Sequence, residues 1–170
     1  YDVHVLTRTG HAAAVDTKAA MRHVLANASA YGVDPERIAL LGESAGAISV
    51  LGAGLSDVGD FTSDGESFPI PDENYPGTDF KPVAIVDLWG MASFFAEEFD
   101  AGDPPVFIAH GVLDTTIPFT EANFVAQQCD RYGIPRELYL FLLERHGAWG
   151  GTNDGRTLIE LIVTFLAAWV

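Results

Sequence analysis

The chain has 170 residues, 48% of them hydrophobic and 11% aromatic, which is enough for one globular domain with a sizeable core and too little for a second complete one. Nine Lys and Arg against 24 Asp and Glu leave a formal charge of −15, which argues against nucleic acid and anionic membrane surfaces as partners. Cys129 is alone, so neither an intrachain disulfide nor a cysteine-rich metal site is expected, and the most apolar segment, 158–170, is broken by Glu160 and Thr164 and falls short of the ~20 residues that span a bilayer.

The chain starts at Tyr1 with neither an initiator Met nor a signal pattern, and reads as a processed product or a fragment. Val15, Ala19, Met21, Val24, Leu25, Ala28 and Tyr31 recur at helical spacing, predicting a helix over 15–31 that Gly32 stops. Ile38–Leu41 is a short continuous apolar run, as in a strand buried on both faces. It runs into Gly42-Glu43-Ser44-Ala45-Gly46, after which 45–55 reads as helix. Residues 57–79 hold seven acids, three prolines and no basic residue, and are expected to form a loop excursion. Three strand–helix units follow: strand 83–88 with a weak helix near 92–99, strand 106–109 with a helix over 120–132, and strand 138–143 with a C-terminal helix from about Thr157.

Strands alternating with helices predict an α/β fold with a mostly parallel sheet covered on both faces, organised as a single domain over 1–170. In such sheets the chemistry sits beyond the carboxyl ends of the strands. Three polar residues occupy those positions: Ser44 after 38–41, Asp114 after 106–109 and His146 after 138–143. A serine hydroxyl needs a neighbouring imidazole to take its proton, and the imidazole needs a carboxylate to fix its tautomer and support its charge. The flanking glycines fit a sharp strand-to-helix turn, where side chains at both positions are expected to collide with strand and helix. That turn leaves the amide of Ala45 at a helix N-terminus, where the dipole favours an oxyanion.

With the G-x-S-x-G stretch and the order Ser44, Asp114, His146, the chain resembles the α/β-hydrolase superfamily, in particular its carboxylesterases and lipases. The stretch AAMRHVLANASAYGVDPERIALLGESAGA resembles the helix, turn and strand that lead into the nucleophile, and PPVFIAHGVLDTTIPF the strand and turn that deliver the acid. The resemblance covers roughly residues 12–170. It implies a serine esterase acting through an acyl-enzyme on small ester substrates, with Ser44 as nucleophile, His146 as base, Asp114 as acid, Ala45 in the oxyanion hole and no cofactor. Short acyl chains are favoured, because no large dedicated lid is evident. The alternative is a non-catalytic binding domain of the same fold.

Other residues carry competing readings. Asp87, at the end of IVDLWG, is a rival acid, since some hydrolases place it one strand earlier. His110 reads as a structural histidine. Glu43 is expected to shape the pocket or bond nearby backbone, and Trp89, Met91, Phe94, Phe95 and Trp149 line either a pocket or the core. Asp60, Asp64 and Glu66 fail the spacing of an EF-hand loop. Esterases of this superfamily also use a second oxyanion donor from a loop after an early strand. No HGGG-like sequence precedes Ser44, and the usual early strands are not evident. Three explanations stay open: the C-terminal part of a larger hydrolase, a minimal one using a donor near Thr9-Gly10, or a sheet completed by a second subunit. The C-terminal helix is apolar on nearly all sides, which favours a homo-oligomer.

Overall fold

A computed structural model describes residues 3–57 and 81–170. The acidic excursion, with Asp60, Asp64 and Glu66, lies outside the described residues apart from Asp57. The elements are α1 (Val3–Ala26), α2 (Ala28–Tyr31), β1 (Leu40–Glu43), α3 (Ala45–Leu55), β2 (Ile85–Leu88), a 3-10 turn at Ser93–Phe95, β3 (Val106–Gly111), α4 (Thr120–Tyr132), β4 (Arg136–Phe141), β5 (Thr152–Asn153), β6 (Arg156–Thr157) and α5 (Leu158–Trp169). Strands β1 to β4 form a parallel sheet in the order β1-β2-β3-β4. This is the α/β architecture that the alternating pattern implies.

Alternate residues of the central strands feed two cores. Leu40, Ile85, Val106 and Ile108 pack with α3, α4 and Phe99 on one face. Val86, Leu88, Phe107, Ala109 and Phe141 pack with Leu158, Leu161, Ile162 and Phe165 of α5 on the other. Burial on both faces explains why β2 and β3 are mostly apolar, with Asp87 and His110 as their buried exceptions. Helix α1 lies against α3. Its buried Lys18 donates to Ser56 Oγ (3.2 Å) and to the Asp57 carbonyl (2.6 Å), placing a cation at the C-terminal end of α3.

Several boundaries differ from expectation. Helix α1 begins twelve residues before Val15 and breaks at Asn27, whose side-chain amide donates to the His23 carbonyl at 2.8 Å. The weak helix near 92–99 is a single 3-10 turn. Strand β4 starts two residues before Leu138, because Arg136 and Glu137 pair along an edge strand. Leu142 and Leu143, where the apolar run predicts strand, form an exposed turn. Thr9 and Gly10 lie inside α1, where backbone N–H groups serve the helix, so that segment is no oxyanion loop.

Candidate active site

The ends of β1, β3 and β4 bring Ser44, Asp114 and His146 together. Ser44 sits between β1 and α3 at φ 53° and ψ −119°, a backbone region that L residues occupy only where the surroundings enforce it. Its N–H donates to the Leu88 carbonyl (2.9 Å), and its carbonyl accepts from Ile48 N–H (3.1 Å), fastening the turn to β2 and to α3. A Cβ on Gly42 would stand 2.2 Å from the Gly46 carbonyl oxygen, so the close approach of strand and helix requires glycine there. Gly46 differs from expectation: a Cβ there would meet nothing within 4 Å. Ala45 opens α3, and its amide is among those left without a partner in the helical ladder.

Asp114 follows β3 in a turn that saturates its carboxylate. Oδ1 accepts from Thr116 N–H at 2.7 Å and from Ile117 N–H at 3.0 Å, and Oδ2 accepts from His146 Nδ1 at 2.7 Å. Burial pushes this carboxyl up, but the bonds from His146, Thr116 and Ile117 outweigh it and hold it below the usual carboxylate range. His146 stands on the loop between β4 and β5, with Nε2 at 2.8 Å from Ser44 Oγ. The carboxylate of Asp114 can only accept, so Nδ1 of a neutral His146 carries the hydrogen and Nε2 keeps the lone pair that faces the serine hydroxyl. Two backbone contacts seat this loop on the acid's turn: Leu113 N–H donates to the Glu144 carbonyl (2.9 Å), and a Cβ on Gly111 would stand 2.4 Å from the Arg145 carbonyl oxygen.

His110 adds a second imidazole to the acid. Its Nε2 lies 2.9 Å from the Ile117 carbonyl oxygen and 3.3 Å from Asp114 Oδ2. Both neighbours are acceptors, so Nε2 carries the hydrogen and donates it to the Ile117 carbonyl. Nδ1 is buried without a hydrogen-bond partner, and burial lowers the ring's pKa despite the raising effect of Ile117 and Asp114. Burial thus favours the neutral ring in the fold. The sequence reading placed it as structural and missed this contact; the i, i+4 spacing of His110 and Asp114 after a buried strand was the available clue.

Asp87 does not meet His146 but turns inward. Its Oδ1 accepts from Gly90 N–H (2.9 Å) while Oδ2 has no hydrogen-bond partner, and burial pushes its pKa up to about 7. Of the aromatic candidates, Trp89 and Phe95 are core, whereas Trp149 is half exposed and donates through Nε1 to Glu43 Oε2 at 2.9 Å. Among the described residues no group of three or more His, Cys, Asp or Glu side chains is placed to hold a metal, and no helix is long and apolar enough to cross a membrane.

A parallel sheet with a serine on the strand–helix turn of β1 and α3 is the architecture of the α/β-hydrolase esterases. Residues 4–100, more than half of the chain, match the family described as BD-FAE, and the chain belongs to that family. Among solved structures it is similar to a truncated form of a carbohydrate esterase from gut microbiota, with 23% identity, a TM-score of 0.72, and coverage of 92% of this chain and 67% of that one. It is similar in fold to an acetyl ester-xyloside bifunctional hydrolase from Caldicellulosiruptor lactoaceticus, with 22% identity, a TM-score of 0.66, and coverage of 92% and 61%. It is also similar to the butyrate-bound esterase Est2 of the planctomycete Thermogutta terrifontis, with 26% identity, a TM-score of 0.66, and coverage of 91% and 64%. The chain thus spans 61–67% of the length of these proteins. No curated protein sequence matches it significantly.

Proposed function

We propose that the chain carries the catalytic centre of a serine carboxylic-ester hydrolase that works through an acyl-enzyme. The observation that carries this reading is the continuous relay from Asp114 Oδ2 to His146 (2.7 Å) and from His146 to Ser44 Oγ (2.8 Å). Ser44 Oγ attacks the ester carbonyl carbon while His146 Nε2 takes the hydroxyl proton. The carbonyl π pair moves onto oxygen, and the Ala45 amide at the start of α3 donates to the resulting oxyanion. Collapse re-forms the carbonyl and breaks the bond to the leaving alcohol, which takes the proton from His146. Water then attacks the acyl-serine with His146 again as base, releasing the acid and restoring the hydroxyl. Asp114 stays ionised throughout and stabilises the imidazolium. No cofactor enters this sequence.

Small esters with short acyl groups are the proposed substrates, and the butyrate-bound and propionate-bound Est2 structures support that preference. Second copies of the chain are the proposed partners, supported by Ile159 and Val163, which stand 62% and 60% exposed on the outward side of α5. The test is hydrolysis of p-nitrophenyl acetate, butyrate and octanoate by the folded protein and by S44A. Release of p-nitrophenol that is fastest for the two short esters and lost in S44A is expected. No release by the folded wild-type protein would instead leave the binding-domain reading.

A further inference from the structure

The base of the proposed relay stands on a loop, and a relay of this kind works only if that loop holds Nε2 within hydrogen-bonding distance of Oγ. On the side of the acid, backbone contacts fix it: Leu113 to Glu144, and the close approach at Gly111. On the side of the nucleophile, the loop reaches the elbow through the His146–Ser44 bond itself and through one further bond, Trp149 Nε1–H to Glu43 Oε2 at 2.9 Å. Glu43 is the residue before Ser44, and Trp149 is three residues after His146. Between His146 and Trp149 the chain is tightly wound. Gly147 takes φ 80°, Ala148 is fully buried, and Trp149 N–H donates to the Gly147 carbonyl at 2.7 Å.

The indole is also braced from below. Trp89 meets it edge to face, with ring centroids 5.3 Å apart at 84°. Trp89 is buried directly after β2, and its N–H donates to the Ala109 carbonyl of β3 at 2.8 Å. The central strands thus provide a rigid support, the tryptophan lies on it, and the carboxylate beside the nucleophile holds its free edge.

We infer that Glu43 and Trp149 are positioning residues, a strap that joins the nucleophile elbow to the base-bearing loop and sets the Ser44–His146 distance. This rests on the esterase reading of the same site. Neither residue supplies a proton or a nucleophile; the pair acts through His146. The bond needs an acceptor oxygen at Glu43 and an indole N–H at position 149, and not the negative charge as such.

Steady-state kinetics on a short p-nitrophenyl ester test it with W149F, E43A, E43Q and E43A/W149F. Loss of one hydrogen bond of this kind is expected to lower kcat about fivefold to tenfold in W149F and in E43A, with KM within about twofold. E43Q, which keeps the acceptor, stays within about twofold of wild type. Because both single changes break one bond, the double variant is expected to be no slower than the slower single variant. Multiplying losses in the double variant, unchanged kcat in both singles, or losses confined to KM would each overturn the strap. The indole N–H resonance of Trp149 in the NMR spectrum, assigned by its absence in W149F, provides a readout that does not need turnover. It is expected to move upfield in E43A and to hold in E43Q; a resonance indifferent to E43A would also overturn the strap. An inactive wild type with that resonance shift intact would count against the esterase reading and not against the bond.

Discussion

Asp114 accepts three hydrogen bonds and has His110 as a fourth polar neighbour, whose contribution is testable. His110 Nε2 bonds the Ile117 carbonyl at 2.9 Å and stands 3.3 Å from Asp114 Oδ2, so it braces the turn that holds the carboxylate. His110→Gln can offer an amide N–H near the same place, and His110→Leu cannot. H110L is expected to lose about tenfold in kcat/KM on a short p-nitrophenyl ester, while H110Q stays within about threefold. Equal loss in both would mean that the ring's shape, and not its donor, matters. The positions of Ser44, Asp114 and His146 beyond the strands were legible because each follows an apolar run, and the order of the runs reveals a parallel sheet. The partner of Trp149 was not, since Glu43 lies 106 residues away in the chain, and those of His110, four and seven residues on, depend on how the turn after β3 folds back.

Strands and helices were legible in proportion to how fully they are buried. Helix α4 falls on its expected residues, with Ala122, Val125, Ala126 and Cys129 facing the core. Edge strand β4 was placed two residues late because its half-exposed start at Arg136 and Glu137 lacks an apolar run, whereas the exposed Leu142 and Leu143 continue one. The β5–β6 hairpin is too short to show an alternating pattern, and its one local signal is Asp154-Gly155, at φ 51° and 77°, the Asp-Gly pair that such two-residue turns favour. At the elbow the two glycines, alike in sequence, differ in consequence. Gly42→Ala forces a Cβ into the backbone of Gly46 and is expected to cost about 3 kcal/mol or more. Gly46→Ala meets open space on a helix and is expected to be neutral or to stabilise by up to about 1 kcal/mol. Urea melts of the two variants check the contrast, and equal destabilisation would contradict it.

Two buried titratable groups pull the stability of the whole molecule in opposite directions as pH changes. Asp87 has its folded pKa raised from 3.8 to about 7 by burial, against the Gly90 hydrogen bond and with help from the charge of Glu121. Its contribution is intact below the unfolded value and is lost as pH rises through about 7, a loss with a ceiling of about 4 kcal/mol. His110 has its folded pKa lowered from 6.5, chiefly by burial, so its contribution holds above 6.5 and is lost as pH falls through the depressed value. Asp87→Asn, close in shape to the neutral acid, is expected to raise stability more at pH 8 than at pH 5. Chemical denaturation at the two pH values measures this, and an equal effect at both would show that the folded pKa of Asp87 is not raised.

The relay between Asp114, His146 and Ser44 is the centre of the proposal, and the reactivity of one hydroxyl tests it most directly. Folded protein treated with a fluorophosphonate probe and analysed by peptide mass spectrometry is expected to carry one adduct, on Ser44, that is lost on heat denaturation and absent in S44A. Folded protein with no adduct, or with the adduct on another residue, would contradict it.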